Sequence, residues 1–176
     1  MSSDLRNDAF WDGPSQEPLA PRAGRTANEP RRDSRASART ERVETRGRAR
    51  ALQALYAADL RDITQLRRIA VSVFDDLAVD PGERDVASRL VGTVIEHGER
   101  LDAELADVTA NWRLERLGAI ERSVLRLAAA ELSRGETPVK VVLQEAVHLA
   151  ERYGTARSAR FVNGVLDAYA RRLGRL

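Results

Sequence analysis

Two groups of residues in this chain have the types and spacing to do chemistry, and in both the chemistry is the holding of an anion. The first is a run of arginines. Ten of them fall between Arg22 and Arg50, opposed by four acids, so this run carries about +6 while the whole chain carries only +2. A guanidinium pairs with phosphate through a fork of N–H donors and stacks on bases. Clustered in this way, the arginines point to a polyanionic partner. The second group lies near the C-terminus. Ser158 is placed to cap a helix, Arg157 precedes it, and Phe161 and Asn163 fall in the first turns that follow. A helix N-terminus offers unpaired backbone N–H groups and the positive end of a dipole to an anion. A ring at its edge, as at Phe161, can stack on a base.

No other constellation asks to be an active site. There is no cysteine, hence no thiolate nucleophile, disulfide or cysteine-bound metal. His97 and His148 are far apart and lack metal-ligand spacing, and His148 lies opposite the apolar face of its helix. No phosphate-binding glycine loop or nucleophile elbow occurs. Glutamate–arginine pairs at helical spacing read as surface ion pairs. The expectation is a binding protein with no cofactor and no catalysis. No apolar run is long enough to span a bilayer and the N-terminus shows no apolar h-region, which reads as a cytoplasmic protein.

The elements that position these residues are helices. Alanine, leucine, arginine and glutamate dominate, and alternating strand patterns are scarce. Residues 1–40 hold Pro14, Pro18, Pro21 and Pro30 without a helical period and read as a disordered basic extension; within it, Phe10 and Trp11 form an isolated aromatic pair. The body spans 41–176. A first helix is expected from Thr45 to Arg61, burying Ala51, Leu52, Leu55 and Tyr56, with Arg46, Arg50, Gln53 and Arg61 on the opposite side. The angle of Arg48 points it toward the apolar side, from which it would have to snorkel outward. Asp62 caps a second helix to Leu77, and Asp80-Pro81 opens a long third one that keeps phase to Val108. Residues 111–117 read as a connection with a short helix. Further helices follow from Gly118 to Ser133 and from Val139 to Tyr153, the latter ended by Gly154 in a left-handed conformation. The last carries Val162, Val165, Leu166, Tyr169 and Leu173 on one face.

Several stretches together resemble a known family. Gln144-Glu145-Ala146-Val147, Leu149-Ala150, Tyr153-Gly154, Ser158 and the run Phe161-Val162-Asn163-Gly164-Val165-Leu166-Asp167 are similar to the pattern of the NusB family of bacterial transcription antitermination factors. Arg46 to Tyr56 agrees with it, as do Trp112, Arg116, Leu117, Glu121, Arg122, Leu125 and Arg126. The likeness extends over about residues 45 to 173 in the family's order. It implies an all-α fold of about seven helices in two packed three-helix bundles, behind the Arg-rich arm. It implies binding of boxA-type single-stranded RNA together with NusE, the ribosomal protein that doubles as an antitermination factor, within the RNA polymerase antitermination complex. It places RNA contacts at Arg46, Arg48, Gln53 and Phe161, to which Arg50 and Arg157 add charge, and the protein partner at Glu121. Arg157 stands where several relatives carry an acidic or small polar residue. NusB-like modules also occur fused to RNA methyltransferases, for which 176 residues leave no room.

The competing reading is a helical protein-interaction scaffold whose arginine tail only solubilises it. A monomer and a homodimer would bury these helix faces equally well, so either fits.

Overall fold

The computed structural model describes residues 31–109 and 114–176, with backbone alone for 31–37 and for residue 115. Among the described residues there are six α-helices and no strand: α1 Arg31–Asp59, α2 Leu66–Asp76, α3 Pro81–Val108, α4 Ala119–Arg134, α5 Val139–Tyr153 and α6 Ser158–Arg172. Two single 3₁₀ turns, Ile63–Gln65 and Leu114–Arg116, join them. The second turn takes the place of the expected seventh helix. Trp112, Phe10 and Trp11 lie outside the described residues.

The first helix starts earlier than its expected onset at Thr45, immediately after Pro30, and passes through position 40 without a break. The expectation relied on apolar periodicity, and residues 31–42 contain almost none. Their arginine, alanine and glutamate content nonetheless favours a helix once the last proline is passed. Asp62, expected to cap the second helix, accepts from the Thr64 N–H at 2.9 Å and so caps the 3₁₀ turn that leads into α2. Pro81 occupies the first position of α3 as expected, with no side-chain cap bond from Asp80.

Each helix contributes one stripe to a common core. Leu52 and Leu55 of α1, Leu66 and Phe74 of α2, Leu90, Leu101 and Leu105 of α3, Leu125, Leu127 and Leu132 of α4, Val142 and Leu149 of α5, and Val162, Leu166 and Tyr169 of α6 are all buried. Leu77, at the expected end of the second helix, is exposed, and Phe74 fills the core there. Helices α4, α5 and α6 pack mutually, α3 lies on α4 and α6, and α2 lies on α3. α1 approaches α3 so closely that a Cβ on Gly47 would stand 2.5 Å from Val86 Cβ.

Two glycines stop helices for different reasons. Gly135, after α4, is left-handed at φ 72° and closes the helix with its N–H on the Glu131 carbonyl. Gly154 is extended (φ −99°, ψ −154°) and not left-handed. What requires glycine there is space: a Cβ would lie 2.6 Å from both the Ala150 carbonyl oxygen and Ser158 Oγ.

Candidate nucleic-acid interface

The arginine-rich turns of α1 divide between two sides. Arg46 is 65% exposed, and its Nη1 donates to Glu83 Oε1 at 3.4 Å. Arg50 is 31% exposed, and its Nε donates to Glu83 Oε2 at 3.3 Å. The other arm of Arg50 donates from Nη1 to Gln53 Oε1 at 3.2 Å. Arg46, Arg50 and Gln53 are therefore one connected group, centred on an acid in the first turn of α3 whose side chain is only 4% exposed.

Arg48 does not belong to that group. It is buried and does not snorkel. Its Nε donates to Glu131 Oε2 at 2.9 Å, its Nη2 also reaches Glu131 Oε1, and Glu44 stands 3.7 Å away. Burial alone would lower the pKa of this guanidinium, but the hydrogen bond and charge of Glu131 overcome that and raise it above the ordinary arginine value. Thr137 completes the arrangement by donating to Glu131 at 2.8 Å. Arg48 fastens α1 to α4. The sequence contained this signal, since its helical angle already directed it inward.

The second group surrounds the turn between α5 and α6. Arg157 is exposed, and Phe161 is half-buried against the core. The Phe161 N–H donates to the Arg157 carbonyl at 3.1 Å. No side chain caps α6. Ser158, expected as its cap, is instead the first helical residue, with its hydroxyl turned back into the turn. Ser158 Oγ accepts from the Thr155 N–H at 2.7 Å, and its own hydroxyl hydrogen goes to Glu121 Oε1. Arg152 lies over the Tyr153 ring at 5.3 Å from its centroid, a cation–π contact beside the same turn.

Glu121, the expected partner contact, is thus tied to buried Ser158 across α4 and α6. Its neighbour Arg122 turns to Asp59 on α1, with Nε to Oδ1 at 2.9 Å, and shares the acid with Arg126. Reversing the charge at Glu121 therefore disturbs a helix-to-helix tie as well as any partner surface.

One residue that orders these groups was missed in the sequence, and a second was given a different role. Glu83 reads from sequence as an ordinary first-turn acid, and nothing local links it to arginines a helix away. The inward use of Ser158 follows from the close approach at Gly154, which is a tertiary fact.

Among the described residues no group of acids and histidines could hold a metal ion, and no helix is long and apolar enough to cross a membrane. The arrangement offers cationic forks, an amide and an aromatic edge, all suited to phosphate and base contacts.

Comparison with known proteins agrees with the residues. The model of the NusB family matches residues 45–171. A transcription antitermination protein NusB from Anaeromyxobacter dehalogenans is 43% identical over 135 residues, which cover 72% of this chain and 89% of that protein. The NusB protein of Bacillus subtilis is 39% identical over 121 residues, covering 68% and 88%. The structure of T. maritima NusB superposes with a TM-score of 0.68 at 32% identity, covering 73% of this chain and 90% of that one. A chain from a crystal structure of the antitermination factors NusB and NusE in complex with dsRNA gives 0.69 at 28% identity, covering 74% and 98%. With a family match across most of its length and relatives this similar, the chain belongs to the NusB family of transcription antitermination proteins, which are not enzymes.

Proposed function

We propose that this protein binds boxA-type single-stranded RNA together with a NusE-type ribosomal protein, and in that pair supports transcription of ribosomal RNA by the polymerase antitermination complex in the cytoplasm. The observation that carries the reading is the likeness to a chain solved with NusE and RNA, extending over 74% of this protein. In this reading Arg46, Arg50 and Gln53 on α1 and Arg157 and Phe161 at the start of α6 contact the RNA. Arg48 acts only through the fold, and Glu121 lies at the partner surface. The mutual packing of α4, α5 and α6 supports reading these helices as one of the family's three-helix bundles, against which α3 also packs. Within residues 1–40, positions 22–40 hold six arginines against two acids and add positive charge that attracts RNA from a distance.

The test is filter binding of boxA-like and scrambled single-stranded RNA, with and without the matching ribosomal protein. Preference for the boxA-like strand, strengthened by the ribosomal protein, is the expected result. Equal, weak binding of both strands alongside tight binding of the ribosomal protein would favour the scaffold reading. Deleting residues 1–40 should flatten the dependence of log K on log salt, which runs at about −0.7 per phosphate neutralised on a single strand.

A further inference from the structure

We infer that Glu83 is a positioning residue for RNA recognition, and that through Arg50 it fixes Gln53 as a hydrogen-bond donor, so that this part of the surface favours bases with a carbonyl at the 4- or 6-position (uracil O4, guanine O6) over those with an amine there. The inference rests on the reading that the α1 face binds RNA.

Three observations lead to it. First, Glu83 is nearly fully buried and yet meets two guanidiniums, those of Arg46 and Arg50, at 3.4 and 3.3 Å. A carboxylate on α3 thereby sets where two α1 side chains stand. Long, exposed arginines lose much rotamer freedom on meeting a ligand, and a buried anchor removes part of that loss in advance.

Second, the Arg50 fork is used on both arms: Nε on Glu83 and Nη1 on Gln53 Oε1. Arginine is a donor only. The amide oxygen of Gln53 must therefore be the atom that faces it, which removes the usual ambiguity between amide oxygen and nitrogen. The Gln53 Nε2 group, with two N–H donors, is left for a ligand.

Third, Gln53 is half-buried on the same exposed side as Arg46, so its donor end adjoins a cation suited to phosphate. A donor fixed beside the backbone path meets an acceptor in uracil O4 or guanine O6. In cytosine and adenine the equivalent position carries an amine, itself a donor, and two donors repel. The relay from Glu83 through Arg50 to Gln53 thus converts a buried acid into a preference for carbonyl over amine on the base edge.

The charge balance makes a second, separable statement. One carboxylate between two guanidiniums withholds part of their charge from solvent. Glu83 therefore trades non-specific phosphate attraction for fixed geometry, and its removal has opposite effects on affinity and on selectivity.

The experiment compares oligouridine and oligocytidine of equal length, which differ in O4 against N4, by fluorescence anisotropy across a salt series. The full chain is used as wild type, Glu83→Gln, Arg50→Lys and Gln53→Glu, with thermal unfolding recorded for each. Wild type is expected to prefer oligouridine by about tenfold, the value of one good hydrogen bond to a fixed donor. Gln53→Glu should abolish or invert that preference. Glu83→Gln should shrink it toward unity while the salt slope steepens by about 0.7 for each guanidinium released to a phosphate. Arg50→Lys keeps the charge but loses the fork, so it should reduce the preference at unchanged slope; it also serves if Glu83→Gln folds poorly. Lower melting temperature and weaker binding in Glu83→Gln, with ratio and slope unchanged, would make Glu83 a packing residue and overturn the inference. A wild type that binds RNA without preference overturns the donor assignment alone. A wild type that binds neither strand overturns the RNA-binding reading of this face.

Discussion

At the scale of single residues, the same side chain type performs opposite tasks within three positions. Arg46 is exposed, whereas Arg48 is buried against Glu131. Truncating Arg48 to alanine would strand a buried carboxylate, and breaking such a pair costs about 3–5 kcal/mol. The expected outcome of Arg48→Ala is a large loss of stability in chemical denaturation, with RNA binding by the remaining folded protein unaltered. Loss of RNA affinity at normal stability would return Arg48 to the binding surface. Phe161 calls for a finer substitution, because it is half-buried against the core. Phe161→Leu retains apolar volume and removes the ring. It should weaken RNA binding by about 1–3 kcal/mol, the value of one base stack, with little shift in melting temperature. A change in melting temperature alone would mark the ring as core.

At the scale of elements, periodicity in the sequence reveals the helices that bury a regular apolar stripe and conceals whatever lacks one. The ranges of α3, α5 and α6 were legible within a residue or two, because Val86 to Val108, Val139 to Tyr153 and Val162 to Leu173 repeat at helical spacing. The onset of α1 was not, since its first turns bury no stripe. The α1–α3 contact was equally invisible, because a glycine within a helix says nothing about what approaches it. Gly47→Ala tests that contact. In an isolated helix alanine would be favoured over glycine by about 1 kcal/mol. Here the added methyl would meet Val86 Cβ at 2.5 Å and the Glu83 carbonyl oxygen at 3.0 Å, neither of which is a flexible side-chain end. Overpacking of this kind costs about 1–3 kcal/mol, so Gly47→Ala should lower the melting temperature. A raised melting temperature would show that α1 can move off α3.

At the scale of the whole molecule, buried ion pairs clamp the C-terminal half of α1 to the body at two points. Arg48 meets Glu131, and Asp59 meets Arg122 and Arg126, with Asp102 also on Arg126. The Asp59 side chain is 7% exposed. Burial raises its pKa, but the Arg122 and Arg126 guanidiniums outweigh burial and hold the carboxyl below its ordinary value of 3.8. The sign follows from the lowered folded value. Stability from this clamp is fully present above the ordinary aspartate range and is lost as pH falls through the folded value. Acid titration of stability should therefore show a component below pH 3.8 that Asp59→Asn removes. The variant should also be less stable at neutral pH. An acid limb identical in the two proteins would show that Asp59 has no part in it. Neither clamp was legible as a pair, because each joins residues far apart in sequence that a local pattern cannot associate.

The clasp between Arg48 and Glu131 also sets an order of events while the protein is being made. The two residues are 83 positions apart, and ribosomes add about 5–20 residues per second. After Arg48 has been added, roughly 4–17 s pass before its partner acid exists at that rate. During that interval the leucine stripe of α1 has α2 and α3 to meet but no α4. Any chaperone that attends this nascent chain has its opportunity there, and slower translation between α3 and α4 lengthens it.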